Sequence, residues 1–581
     1  MRLWKSARAV QAFVPRPYSR VAATGILALA VITFVSPAGL EAQDPAGAPA
    51  SQGSVKSPPA RTFGRSRPAD PRVFRFCNGA EPEALDPALM TAQPDGRIGR
   101  AVFEGLAIED PRTLDPIPGV ASSWEVSADG RTYTFHLRPD ARWTNGDTVT
   151  AQDFEWSWLR VLHPDMPARN AGILYVIRNA AAYKKKTLAG PAQVGIHASD
   201  ARTLVVELES ATPYFPQLLT SYPFLPVHRA TVERFGDRWA RPENIVSNGP
   251  FRLTVHKPND RIVLERDPKY WDAAQVKLDR VVVYASDDLS TMLNMYRAGM
   301  TDWNPSGYLP AQYIPYVRDN ADYRSGPYLG TYFYSFNVTQ PPFNDARVRK
   351  ALAFAVDRNA LVKFLLYGSK TPWGGLVPPG FESYPYPQAV AFEPEKARAL
   401  LAAAGYPGGA GFPKVEILFN TSQDHRKIAE AIQEMWKREL GIDVGLSNQE
   451  FASYMKATTS LQYQVARRSW IGDYKDPNTF LFILRGGDGN NRTGWSNARF
   501  DSLIAAAGRE MNVTKRLQKL AAAEAIGLEE MPYLPIYGYR TVELVAPYVR
   551  GWYPTALDSH PLKALWLDPG ATAGSPAGGA E

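Results

Sequence analysis

Val415 to Val444 constrains the fold more than any other stretch. Val415-Glu416-Ile417-Leu418-Phe419 is an apolar, β-branched run that predicts a strand. Thr421 or Ser422 then caps a helix whose Ile428, Ala431, Ile432, Met435, Trp436 and Leu440 share one side. Gly441 stops it, and Ile442-Asp443-Val444 begins another strand. A strand–helix–strand of this length favours a right-handed parallel crossover. The chain is therefore expected to be a mixed α/β protein.

Other elements agree. Val73–Cys77, Arg261–Arg266 and Arg280–Tyr284 read as strands. Asn344-Asp345 caps a helix with Val348, Ala351, Leu352, Ala355 and Val356 on one face, and Gly368 is placed to end the next helix. No solenoid-like repeat is present. At 581 residues the chain exceeds a single core, so two or three domains are expected. Residues 43–71 are rich in Pro, Ala, Gly and Ser and lack an apolar period, which predicts a disordered leader. Residues 568–581 repeat that composition and predict a flexible tail.

The first 42 residues have the layout of an export signal. Arg2, Lys5, Arg8, Arg16 and Arg20 precede an apolar run from Gly25 to Val35, and Leu40-Glu41-Ala42 suits cleavage. The run is short for a membrane span, though a retained anchor is the alternative. Without these residues, 60 Lys/Arg face 57 Asp/Glu, a net charge of +3. The basic balance therefore argues weakly for nucleic acid. Lys184-Lys185-Lys186 reads as a solvated surface turn. The single cysteine, Cys77, excludes an internal disulfide and lies far from the signal, so no lipid-accepting cysteine follows it. A freely diffusing, monomeric periplasmic protein is the expectation.

The chemistry concentrates in Arg467-Arg468-Ser469-Trp470-Ile471-Gly472-Asp473-Tyr474-Lys475-Asp476-Pro477. A carboxylate for an ammonium, a guanidinium for a carboxylate and an aromatic wall together suit a zwitterionic ligand. A solvated loop beside a core Trp, with Asp473 capping the turn before Pro477, is the plain alternative.

This segment resembles the ligand-binding signature of the oligopeptide-binding proteins, the family 5 solute receptors of peptide ABC importers. The resemblance runs from about Val73 to about Leu567. Matching motifs in family order include Glu81-Pro82-Glu83-Ala84-Leu85-Asp86-Pro87, Phe103-Glu104-Gly105-Leu106 and Pro118-Gly119-Val120-Ala121-Ser122-Ser123-Trp124. Tyr133-Thr134-Phe135-His136-Leu137-Arg138, Trp143-Thr144-Asn145-Gly146-Asp147, Asn248-Gly249-Pro250-Phe251, Pro342-Phe343-Asn344-Asp345 and Asn420-Thr421-Ser422 follow. The resemblance implies a type II periplasmic-binding-protein fold, with two lobes that close on a ligand and an extra third domain. Domain I would combine 72–105, 228–303 and 556–567, domain II would be 106–227, and domain III 304–555. It implies peptide capture and delivery to membrane permease subunits.

Carried over by position, Asp473 receives the peptide ammonium, while Trp470, Ile471 and Gly472 offer backbone groups to an extended peptide as an added strand. Thr91-Ala92-Gln93 is the facing backbone segment, although the family pattern has Glu at Thr91 and Val at Gln93. Arg467 and His425 meet the terminal carboxylate; Arg offers a fork, and His425 lies in the first turn of a helix, where an anion is favoured. A surface ion pair and a solvated imidazole are their plain alternatives. Three positions depart from the pattern: a family lysine is Gln340, a ligand-contacting tyrosine falls at or near Asn170, and another falls at Pro561.

No catalytic set emerges: there is no His-Glu-x-x-His, Gly-x-Ser-x-Gly or phosphate loop. One Cys and seven His do not suggest structural zinc, and Asp488-Gly489-Asn490-Asn491 lacks the spaced carboxylates of a calcium loop. No enzyme, cofactor or metal is expected. The alternative to peptide import is a receptor for cell-wall (murein) peptides or another solute, in recycling or sensing. Asp473 favours an amine-bearing ligand over a glycan or haem.

Overall fold

The structure, a computed structural model, describes residues 61–571. The expected export signal over 1–42 lies outside the described residues, as do 43–60 of the leader and 572–581 of the tail.

The strands Val73–Cys77, Arg261–Arg266 and Arg280–Tyr284 form with the expected bounds. Val73–Cys77 runs parallel to Arg280–Tyr284, whose other side pairs antiparallel with Arg261–Arg266. The crossover also forms. Val415–Asn420 and Val444–Gln449 are parallel, with Val415 opposite Val444, and the helix Gln423–Leu440 connects them. Ser422, not Thr421, is its N-cap; the Ser422 hydroxyl accepts the His425 N–H. Gly441 ends the helix at φ 68°, a left-handed conformation that a residue without Cβ adopts freely.

These strands belong to one eleven-stranded sheet. It runs from Val444–Gln449 at one edge to Phe251–Lys257 at the other. Its two halves join where Trp303–Asn304 lies between Val73–Cys77 and the long strand Tyr533–Val545. A separate four-stranded antiparallel sheet is built from Ala121–Val126, Thr132–Leu137, Thr203–Glu207 and Ile196–Asp200.

Buried apolar side chains among the described residues gather into three large clusters. One centres on Tyr332, Ile417 and Trp436, one on Phe135, Trp143 and Trp158, and one on Phe74, Val281 and Trp303. Packing at two places joins stretches that the expected boundaries separate. Val545, Ala546, Tyr548, Val549 and Trp552, placed before the boundary at 555, pack with Phe74 and Val281. The strand Tyr533–Val545 already pairs with Trp303–Asn304 at its end, so the chain has crossed by then. Tyr474 packs with Phe135 and Trp158, far away in sequence.

The expected leader and tail are also shorter than composition suggested. Phe63 and Gly64 both donate their N–H to the buried Asp322 carboxylate at 2.8 Å, and the Arg61 carbonyl accepts the Ala321 N–H. At the other end, the Asp568 N–H donates to Tyr548 and Ala571 is buried. Buried polar groups need partners, and these stretches supply them without an apolar period. Lys184 is likewise more than a solvated charge: its Nζ donates to the carbonyls of Val161, His163 and Met166, at the end of the helix Ala151–Leu162.

Candidate functional site

The site is built around the strand Val465–Ile471 and the turn after it. One side pairs antiparallel with Tyr323–Phe336, with Gly330 opposite Ile471. The other side meets Val415–Asn420 only at Val465 and Ala466. Beyond Ala466 no strand covers that edge among the described residues. The Gly472 N–H donates to the Leu329 carbonyl at 2.8 Å. Antiparallel strands alternate their bonding direction, so Trp470 and Arg468 face the same neighbour as Gly472. Ile471 and Ser469 turn their backbone groups to the open edge. Of the three residues expected to offer backbone bonds, Ile471 is the one so placed. Ser469 is a second, which the sequence did not single out.

Asp473 follows at the strand's end. Its N–H donates to Thr479 Oγ1 at 3.2 Å, but its carboxylate has no partner among the described residues. The tip is open to solvent, yet surrounding protein atoms displace much of its water and push its carboxyl up to about 6. Both observations fit a side chain lining a recess, reachable but poorly hydrated. Asp473 does not cap the turn. Asp476 does, accepting the Asn478 N–H at 2.9 Å while binding buried Arg516 through two bonds of 2.5 and 2.8 Å. Tyr474 stacks on Tyr214 with centroids 5.1 Å apart, and the Arg516 guanidinium lies 5.3 Å from the Tyr214 ring centre. Tyr214 and Arg516, from two distant parts of the chain, thus hold the turn that presents Asp473.

Arg467 and His425 converge on Tyr332. The Arg467 guanidinium lies 4.7 Å from the Tyr332 ring centre and bonds Asn420 Oδ1 and Ser469 Oγ at 3.3 and 3.2 Å. It has no carboxylate partner among the described residues, so its plain reading as half of a surface ion pair is not met. His425 Nδ1 sits 3.3 Å from the Tyr332 hydroxyl. Burial, and then the nearby Arg467 charge, lower the imidazole to about 4, so it is neutral at neutral pH. Tyr332 stacks on Tyr537 at 4.6 Å, and Tyr537 touches Tyr539. Trp470 is half-buried, edge-on to Phe482.

The Thr91-Ala92-Gln93 segment enters the helix Gln93–Val102. Asp95, fully buried, accepts the N–H groups of Thr91 and Ala92. The Gln93 N–H and the Thr91 carbonyl have no partner among the described residues. The Gln93 side chain donates to the Leu557 carbonyl, the neighbouring Ala556 carbonyl accepts the Leu329 N–H, and Leu329 accepts Gly472. That chain of bonds links the segment to the strand end beside Asp473. Asn170 is exposed and donates to the Met90 carbonyl at 3.1 Å, next to Thr91. Pro561 follows a buried ion network. Gln340 is exposed on the turn beyond Phe336, the end of the strand remote from Gly330, and no hydrogen bond connects it with Arg467 or His425. The structure therefore does not bring Gln340 to the other positions.

Glu543, Asp558 and His560 place one ligand-capable atom each within 4.8 Å of one another. Their partners are internal: Trp303 Nε1 donates to Glu543 at 2.6 Å, Arg97 binds Asp558 at 3.2 Å, and His560 lies 3.2 Å from Asp558. Arg97 and a protonated His560 balance the two carboxylates, and the proximity of Glu543 raises the His560 pKa against its burial. This arrangement suits an ion network better than a metal centre. Asp488 and Asn491 form a turn closed by their own side chains.

The model of the bacterial extracellular solute-binding proteins, family 5 middle, matches residues 115–492. The oligopeptide-binding protein OppA of Bacillus subtilis is 37% identical over 472 residues, covering 79% of this chain and 86% of the relative. The unliganded open form of the periplasmic murein tripeptide binding protein MppA superposes with a TM-score of 0.76 at 33% identity, covering 86% of this chain and 98% of that one. Haemophilus influenzae OppA in complex with RPPGFSPFR gives a TM-score of 0.69 at 33% identity, over 86% of this chain and 100% of that one. With an uncapped carboxylate and an unpaired guanidinium on one open strand edge, and these relatives along most of its length, the chain belongs to family 5 of the bacterial extracellular solute-binding proteins.

Proposed function

We propose that the protein is the periplasmic substrate-binding component of an ABC importer for oligopeptides, and that it delivers captured peptides to membrane permease subunits. One observation carries this reading. Asp473 and Arg467 lie six residues apart, opposite in charge and each without an ion-pair partner among the described residues, with an open backbone edge between them. Six residues of strand cover about 20 Å at about 3.3 Å per residue, and the Arg467 guanidinium reaches along the edge to Ser469, so an extended peptide of about three to five residues suits the remaining gap. Its ammonium meets Asp473, its backbone adds to Ile471 and Ser469 on one side and to Thr91 and Gln93 on the other, and its carboxylate meets Arg467 beside His425. Asn170 lines the same end as Thr91. Gln340, on the turn beyond Phe336, stands outside this path.

In this reading the three buried clusters are three domains. Trp303–Asn304 and Tyr533–Val545 form the hinge on which two lobes close. The chain acts as an exported, monomeric receptor without a lipid anchor, and it performs no chemistry on its ligand. A receptor for murein peptides is the second reading, favoured by the superposition on MppA. Mass spectrometry of molecules that co-purify with the protein, followed by calorimetry with them, tests both. Recovery of free-amine peptides supports import of peptides; recovery of amino-sugar-linked peptides supports the second reading; a ligand without an amine overturns both.

A further inference from the structure

Lys370 is a cation that the terminal charges of a simple peptide leave unmatched. It precedes the short strand Thr371–Pro372, which pairs with Tyr533–Val545 so that Thr371 lies opposite Gly538. Its ammonium lies 5.1 Å from the Tyr539 ring centre. Tyr539 contacts Tyr537, which stacks on Tyr332, and Tyr332 carries Arg467 and His425. A Cβ on Gly330 would meet Ile471 Cδ1 and Tyr539 Cδ2, so Tyr539 stands against the open strand. Lys370 therefore belongs to the same aromatic cluster as the two groups assigned to the ligand carboxylate.

Lys370 makes no ion pair and no side-chain hydrogen bond among the described residues, although it is half-buried. Burial draws its pKa down to about 8, and exposed Asp424, on the helix turn beside His425, is the carboxylate acting on it from beyond ion-pair distance. A partly dehydrated ammonium without a partner is unfavourable unless an anion arrives with the ligand. Arg467 already answers one carboxylate and Asp473 answers the ammonium. The remaining charge calls for a second carboxylate.

We propose that Lys370 selects peptides that carry a carboxylate in addition to the C-terminal one, such as an acidic side chain at the second or third position. This rests on the peptide reading above. The aromatic faces of Tyr539 and Tyr537 complete the subsite by packing on the methylenes that bear the acid.

Calorimetry with Ala-Ala-Ala, Ala-Glu-Ala, Ala-Ala-Glu and the two corresponding glutamine peptides tests it, on the unsubstituted protein and on Lys370→Met and Lys370→Arg. The expected result is at least tenfold tighter binding of one glutamate peptide than of its glutamine counterpart. Lys370→Met should abolish that ratio, and Lys370→Arg should restore most of it. Unaltered thermal unfolding of the variants shows that folding is intact. No glutamate preference with Ala-Ala-Ala still bound, or an equal loss on every peptide in Lys370→Met, overturns the role of Lys370 and leaves the peptide reading standing. Failure of all five peptides to bind the unsubstituted protein overturns both.

Discussion

The Leu329 carbonyl accepts the N–H of Gly472 at 2.8 Å, immediately before Asp473. Leu329 in turn donates to Ala556, whose neighbour Leu557 accepts the Gln93 side chain. The residue that fixes the Asp473 end of the open strand is thus tied to the segment facing it. Three hydrogen bonds among five residues, Gly472, Leu329, Ala556, Leu557 and Gln93, make that connection.

Asp473→Asn separates binding from stability. Peptide affinity should fall by about 3–5 kcal/mol, the cost of an ammonium left without its counter-charge. N-acetylated peptides should bind the unsubstituted protein equally poorly. The ligand-free variant should melt at a higher temperature at pH 7 and unchanged at pH 4. A carboxyl raised in the folded state stabilises below its unfolded value and loses that contribution as pH rises through about 6. Calorimetry and thermal unfolding at both pH values check this; undiminished affinity for acetylated peptides sinks the assignment.

Binding should also depend on pH with a defined sign. The bound ammonium holds Asp473 ionised, so binding releases protons where free Asp473 is protonated. Affinity should peak near pH 7, weaken by up to about tenfold per unit below about 6, and weaken again above about 8 as the peptide α-ammonium loses its proton. His425 opposes this: it sits at about 4 when free, and a bound carboxylate raises it, so it takes up protons near pH 4–5. Calorimetry in buffers of different ionisation enthalpy measures the net release. In Asp473→Asn only the uptake by His425 should remain, and release persisting in that variant contradicts the scheme.

Arg516 stabilises the turn without touching the open edge. Arg516→Met leaves buried Asp476 uncompensated and should cost about 3–5 kcal/mol in denaturant unfolding. The double variant Arg516→Met with Asp476→Leu should recover much of that, because the uncompensated charge is gone. A double variant as unstable as the single one would show that the pair's geometry, not its charge, holds the turn.

Hinge closure predicts a smaller radius of gyration with bound peptide. Small-angle scattering of the mature protein, with saturation confirmed by calorimetry, measures it. An identical profile with and without peptide rejects closure as the response.

The parallel crossover at Val415–Val444 was legible because it is local. A β-branched run, a capped amphipathic helix and a stop glycine lie within thirty residues, and each reports only on its neighbours. The same holds for the strands at Val73, Arg261 and Arg280. Asp473, Arg467 and His425 were legible as chemical types at motif positions. The packing of Val545 to Trp552 with Phe74 was not legible, because Tyr533–Val545 serves two halves of one sheet, which no periodicity records.

The sequence by itself determined the local elements, their caps and the order of the motifs, since these follow from backbone preference and side-chain spacing. Only the tertiary structure decided which groups are left without partners. The pairing of Val465–Ile471 with a strand more than 100 residues earlier leaves Ile471 and Ser469 facing an open edge. Arg516 claims Asp476 and leaves Asp473 free. The pairing of Thr371 with Gly538 carries Lys370 to the aromatic cluster of Arg467 and His425, far from it in sequence. Whether a charge is satisfied depends on every residue within a few ångströms, and that set is assembled by long-range packing.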